Sequence, residues 1–284
     1  MALRQRTGST VCPGCGTLVG VNDETCYSCG RRNPALWGFS PLLRRLGRDL
    51  GLTNVITVVC VGLYLATAAA SQEGGGMSFL SPSGRAPVIF GATGAPLVFE
   101  AGHWWTLLSA TWLHGGLLHI LFNMYGVRQL VPATVEMYGP GRTMIIYTLG
   151  GATGFLASAL AGEYLSWIPL PLIGGHNGIT IGASAALFAM MGALYYYGHR
   201  SGSSMMRREV GIYAAFCFLS VAFIGNIDNY AHAGGFAGGF LISKWLDPLR
   251  PERVDHLIAG LVCLVASWLA VLVSIVTILR YLAR

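Results

Sequence analysis

Apolar residues gather in seven long runs, at 52–71, 115–130, 143–162, 179–198, 210–225, 229–243 and 256–279. Each approaches the about 20 residues that a helix needs to cross a bilayer. The runs are continuous rather than alternating, which predicts helices and argues against barrel strands. Acidic residues, lysine and arginine are nearly absent from them, with Arg128 close to an end. The sixth run is short and holds four glycines, so hydropathy alone supports it least. Residues 1–50 are polar and carry cysteines, and the first apolar run starts too late for a secretory signal peptide. The pattern predicts an all-α polytopic membrane protein with a cysteine-bearing module (1–33), a linker and membrane approach (34–50) and seven membrane-spanning helices after it.

Composition sharpens this picture. Only 11% of the 284 residues are charged and 54% are hydrophobic, whereas a soluble domain is about 25% charged. A water-soluble globule and a disordered chain are both excluded on that ground. The net charge of +6 comes from 18 basic residues against 12 acidic ones. Laid over the seven runs, 15 of the basic residues fall on one side and Arg85, Arg280 and Arg284 on the other. The positive-inside rule then puts the N-terminus in the cytoplasm and the C-terminus outside. The excess charge becomes an orientation signal, and no nucleic-acid partner is expected. The Ala/Gly/Arg-rich composition fits a bacterial inner membrane.

The N-terminal module reads C12-P-G-C-G and C26-Y-S-C-G. Two CxxC pairs with ten residues between them can close a tetrahedral four-thiolate site on Cys12, Cys15, Cys26 and Cys29. Gly16 and Gly30 follow the pairs and let the backbone turn toward the sulfurs. The arrangement is zinc-ribbon-like and predicts a structural zinc, with iron as the alternative metal. Two disulfides are the competing reading, disfavoured in a reducing compartment. A closed four-thiolate shell leaves no position for catalysis, so the module is structural or binds a protein partner. Cys60, Cys217 and Cys263 stand singly in apolar runs and read as small core residues. Around residues 34–50, a short amphipathic surface helix and a simple basic anchor (Arg44, Arg45, Arg48) account for the sequence equally well.

Polar groups at membrane depth are costly and point to function by default. His119 and Asn123 are four apart and share a helical face, with His114 a turn upstream. Ser184 is flanked by Gly182, Ala183 and Ala185. His232 opens the sixth run, and Gly235 and Gly239 follow it in GxxxG spacing. Singly, these read as interhelical hydrogen bonds or small-residue packing. Together they suggest more. Small residues on two helices allow the close approach that would let His232 take the Ser184 proton, and His119 and Asn123 could donate to an oxyanion.

At this point the sequence resembles the rhomboid family of intramembrane serine proteases. Three motifs carry the resemblance: H114-G-G-L-L-H-I-L-F-N123, G182-A-S-A185 and A231-H-A-G-G-F-A-G-G239. Their order and their placement on runs two, four and six match, over roughly residues 50–250. The resemblance implies a six-helix rhomboid-like core (51–250) with a seventh C-terminal helix (251–284) added after it, Ser184 as nucleophile, His232 as base, and His119, Asn123 and the Ser184 backbone N–H as oxyanion donors. It also implies that Gly235 and Gly239 hold the sixth helix to the fourth, and that the fifth helix and residues 224–229 gate and cap the site. Three positions depart from the pattern: Ala185 replaces the usual glycine, Phe188 replaces a frequent tyrosine under the histidine, and Trp105-Thr106 lacks the usual arginine. None removes a group that acyl transfer needs.

The expected activity is cleavage of transmembrane protein substrates near the outer face of the lipid bilayer, with no cofactor for catalysis. Two rivals come from other classes. One is a catalytically inactive relative that binds unstable helices, against which the intact Ser–His pair argues. The other is a proton-relay transporter, against which the lack of paired carboxylates and of an inverted repeat argues. The loop 163–178, with His176 and Asn177, shows no clear chemistry.

Overall fold

A computed structural model of the chain describes residues 4–39, 49–71, 80–168, 178–222 and 227–283. Seven long helices account for the seven apolar runs: α1 (Leu52–Ala70), α2 (Leu117–Tyr138), α3 (Pro140–Leu165), α4 (Ser184–Arg200), α5 (Ser204–Ala222), α6 (Asn229–Trp245) and α7 (Val254–Leu282). Three of them, α1, α3 and α7, are long and apolar enough to span a bilayer by length and composition alone. Of the others, α4 and α6 are shorter, at 17 residues each. The chain is a polytopic α-helical membrane protein with a small cysteine-bearing extension. The expected basic anchor at 40–48, His176 and Asn177, and residues 224–226 of the expected cap, lie outside the described residues.

Local chemistry sets the helix ends. Asp49 starts α1 by accepting from the N–H groups of Gly51 and Thr53 (each 3.0 Å) and from the Thr53 hydroxyl at 2.6 Å. Its carboxyl is pulled below the ordinary range because these bonds outweigh the cost of burial. The chain breaks at Gly139, and Pro140 restarts it as α3, where its missing N–H costs nothing. Helix α2 runs eight residues past the predicted run end at 130, straight through Pro132. Likewise α5 begins at Ser204, six residues before its predicted run, because its charged first turns (Arg207, Arg208 and Glu209) are helical too.

Helix α4 is the centre of the core. Its residues from Ala185 to Leu194 are all buried, and α6, α3, α5 and α2 surround it. The seams between α3, α4 and α6 are built from backbone rather than side chains. A methyl group at Gly235 or Gly239 would collide with the carbonyl oxygens of Ala185 and Ala189, and one at Gly154 would reach 2.5 Å from the Ala231 carbonyl oxygen. Trp112 sits wholly buried between Tyr147 and Trp268, at ring distances of 5.6 and 6.1 Å. The outer faces are apolar and exposed, as on α2 at Leu118, Leu121, Phe122 and Tyr125. Such a continuous apolar exterior is what hydrocarbon requires of a membrane protein.

Helix α7 packs against the core with one face, leaving most of its length exposed, and is tied to it at both ends. The indole N–H of Trp105 donates to the Ser274 hydroxyl at 3.0 Å. At the other end, Arg142 on α3 is almost completely buried and donates to His256 Nδ1 (3.0 Å) and to the carbonyls of Asp247 (3.0 Å), Arg250 (2.9 Å) and Pro251 (2.8 Å). One guanidinium thus fixes the whole α6–α7 connection, using the planar fork that lysine lacks.

Candidate active site and cysteine centre

The polypeptide leading into α4 is held from both sides. Thr180 and Thr93 exchange backbone hydrogen bonds (2.7 and 3.2 Å), and Gly182 N–H donates to Ala110 O at 3.0 Å. Gly182 adopts φ +140°, which L side chains rarely take. A methyl there would come within 2.7 Å of His119 Nε2 and 3.6 Å of Ser184 Oγ. The missing side chain therefore leaves a small gap bordered by both groups. Ser184 is the first residue of α4, where backbone N–H groups have no intrahelical acceptor and the helix dipole favours negative charge.

His232 lies on α6, facing α4 across the glycine seam. Its Nε2 is 2.9 Å from Ser184 Oγ. Its ring stacks on Phe188, one turn beyond Ser184, at 4.4 Å and 12°. With the seam behind it and Phe188 beneath it, the imidazole is fixed in plane and direction. His119 stands beside Gly182, and its Nδ1 receives the Gly115 N–H at 3.4 Å. His114 is buried with its ring 5.2 Å from that of His119. Asn123 is buried on the same face of α2, and its Nδ2 donates to the His119 carbonyl at 2.9 Å. Ser184, His232 and His119 thus meet at one locus, while Asn123 lies one turn further along α2 with an N–H engaged by its own helix.

One pair of groups at this site escaped the sequence reading. Asp228 caps α6 by accepting from Ala231 N–H at 2.9 Å, and the hydroxyl of Ser158 on α3 donates to its other carboxylate oxygen. The cap lies one turn before His232 and ties the start of α6 to α3. An aspartate immediately before a helical run is a capping signal, and that signal is present in the sequence at Asp228.

At the other end of α2, the N-terminal module forms a two-stranded antiparallel hairpin, β1 (Ser9–Val11) and β2 (Leu18–Gly20), and two matching turns. In each turn the first cysteine accepts from the glycine after the pair: Gly16 N–H to Cys12 O and Gly30 N–H to Cys26 O, both 2.9 Å. Each then donates onward, Cys12 to Thr17 O and Cys26 to Arg31 O, both 2.8 Å. The four sulfurs lie within 4.8 Å of one another, with Cys12–Cys29 at 3.8 Å and Cys15–Cys26 at 3.6 Å. A tetrahedral zinc–thiolate shell with bonds of about 2.3 Å separates its sulfurs by about 3.8 Å, so the residues present fit a metal. No disulfide joins the seven cysteines. The Thr17 hydroxyl and N–H draw the Cys15 thiol down to about 6, while burial pushes Cys29 up to about 12.

A helical membrane core with a serine and a histidine meeting across a glycine seam defines a class of intramembrane proteins. The Rhomboid domain family model matches residues 101–247, just over half of the chain. The chain belongs to the rhomboid family. It is 36% identical over 163 residues to Rhomboid protease GluP of Bacillus subtilis, covering 56% of this chain and 29% of that protein. It is 32% identical over 165 residues to RHOMBOID-like protein 5 of Arabidopsis thaliana, covering 54% and 47%. Putative rhomboid protease YdcA of Bacillus subtilis is 30% identical over 155 residues, covering 53% of this chain and 71% of that protein. The chain spans half or less of the length of the first curated relatives it matches.

Proposed function

We propose that this protein is an intramembrane serine endopeptidase that cleaves transmembrane helices of other membrane proteins. The observation that carries the proposal is the 2.9 Å approach of His232 Nε2 to Ser184 Oγ, on a ring fixed by Phe188. Ser184 attacks the scissile carbonyl as His232 accepts its proton. The carbonyl oxygen becomes an oxyanion at the start of α4, within reach of the Ser184 N–H and of His119, with Asn123 behind it. His232 then returns the proton to the leaving amine, leaving an acyl-enzyme on Ser184. Water, deprotonated by His232, releases the acyl group and restores the serine. A substrate helix bonds its own carbonyls, so it must unwind locally before attack. Substrates with small or helix-destabilising residues at the cut are therefore preferred.

The distribution of basic residues supports an N-terminus in the cytoplasm, a C-terminus outside and a reaction near the outer face of a bacterial inner membrane. The four cysteines hold one structural metal, zinc in this reading. The test uses purified protein in detergent and a reporter transmembrane substrate. Ser184→Ala and His232→Ala are each expected to abolish cleavage, and wild-type activity should fall in acid as the imidazole becomes protonated and can no longer accept the serine proton. Wild-type cleavage by either variant refutes the dyad. Substrate binding by a wild-type protein that neither cleaves nor reacts with a fluorophosphonate would instead point to a non-catalytic helix binder.

A further inference from the structure

The last turns of α4 and α6 enclose a concavity that the proposed reaction does not use. It holds about 550 Å³ and is lined by Tyr196, His199 and Arg200 of α4 and by Phe240 and Lys244 of α6. Tyr196 and Phe240 meet edge to face at 5.3 Å and 88°, giving it an aromatic wall. Lys244 Nζ sits over the Phe240 ring at 5.2 Å, where the ring face attracts the ammonium. Lys244 makes no ion pair among the described residues. Arg200 lies 3.6 Å from Asp247, but Arg250 claims the same carboxylate oxygen at 3.3 Å, so two guanidinium charges face one acid. No acidic residue lines the concavity itself. Its lining is therefore under-neutralised and shaped for an anion.

Its place in the molecule selects the kind of anion. Trp245 follows Lys244 at the end of α6 and is 85% exposed, and Leu241, one turn earlier on the same face, is half exposed. An apolar strip that ends in an exposed tryptophan beside cations suits a helix leaving the hydrocarbon at headgroup depth. A soluble phosphate would engage the cations alone. A phospholipid engages the cations with its phosphodiester and the Leu241–Trp245 strip with its chains. A choline headgroup would set its own cation against Lys244, whereas an uncharged headgroup leaves the phosphate charge to the protein. We propose that this concavity binds the headgroup of an anionic phospholipid. Lys244 and Arg200 pair with the phosphodiester, His199 adds a hydrogen bond, and the acyl chains lie along the outer face of α6. The 16 steps from Ser184 to Arg200 rise about 24 Å, so the bound lipid lies at the far end of α4 from the Ser184–His232 contact.

The test is native mass spectrometry of the full chain, delipidated in detergent and titrated with dioleoyl phosphatidylglycerol, dioleoyl phosphatidylcholine or soluble glycerol phosphate. Wild type should bind phosphatidylglycerol about tenfold more tightly than phosphatidylcholine, and should leave glycerol phosphate unbound at the same concentrations. Lys244→Gln and Arg200→Gln should each weaken phosphatidylglycerol binding by about fivefold, the effect expected of one basic residue at a membrane surface. Lys244→Arg keeps the charge and should keep the binding. Arg280→Gln removes an equal charge from the exposed last turn of α7 and should leave binding unchanged. Wild-type binding by the Lys244→Gln/Arg200→Gln double variant overturns the site. An equal loss in Arg280→Gln overturns it too, since overall charge would then account for the binding. Equal binding of the two lipids overturns the anionic headgroup, and glycerol phosphate bound as tightly as phosphatidylglycerol overturns the lipid in favour of a soluble phosphate ester.

Discussion

His232 has the geometry of a base because its neighbours leave it one orientation. Phe188 sets the ring plane, and Asp228 sets the start of the helix that carries it. Asp228→Ala removes the cap and the Ser158 contact together. It is expected to cost about 1 kcal/mol of stability and to slow cleavage by about tenfold. Asp228→Asn keeps an acceptor for Ala231 N–H and should recover most of the stability. Thermal unfolding and cleavage rates measured side by side check both outcomes. Ser184, His119, Asn123 and His232 were legible in the sequence because so few other polar residues occur at their depth. The Ser158–Asp228 contact was not, because a pairing 70 residues apart leaves no periodic trace. Arg142 was visible only as one more basic residue, although it is buried and fully engaged.

Hydropathy located the seven long helices among the described residues, since hydrocarbon tolerates no long irregular lipid-facing segment. It misjudged their ends, because α2 and α5 continue as helices where their sequences turn polar. It was also least able to support α6, whose glycines lower its apolar content while fitting it against α3 and α4. Gly239→Ala is expected to destabilise the protein by about 1–3 kcal/mol, the usual cost of overpacking, because the new methyl meets the Ala189 carbonyl. It should also reduce cleavage by moving His232 away from Ser184. Gly62→Ala on α1, where a methyl meets nothing within 4 Å, is the matched control and should be neutral in both assays.

Across the whole molecule, the Ser184–His232 contact and the four-cysteine cluster lie toward opposite ends of α2. The 19 steps from His119 to Tyr138 rise about 28 Å at 1.5 Å each. This separation implies that deletion of residues 1–40 should leave cleavage of a reporter substrate near the wild-type rate, while lowering the unfolding temperature. Loss of cleavage at a temperature where the truncated core remains folded would show that the two ends communicate. Arg142→Ala acts at the same end but within the core. It strands three loop carbonyls and should lower stability by about 3 kcal/mol or more, read as a shift in thermal unfolding.

The backbone-lined seams between α3, α4 and α6 also bear on how this sequence can vary. A seam filled by leucines can drift by exchanging one aliphatic for another of similar volume. Where the partners are already a glycine and a bare carbonyl, no smaller residue exists to compensate an added atom. Variation at Gly154, Gly235 and Gly239 is therefore one-sided, and the apolar outer surface, where Leu118 and Phe122 are mostly exposed, is left as the part of the membrane domain that is free to diverge.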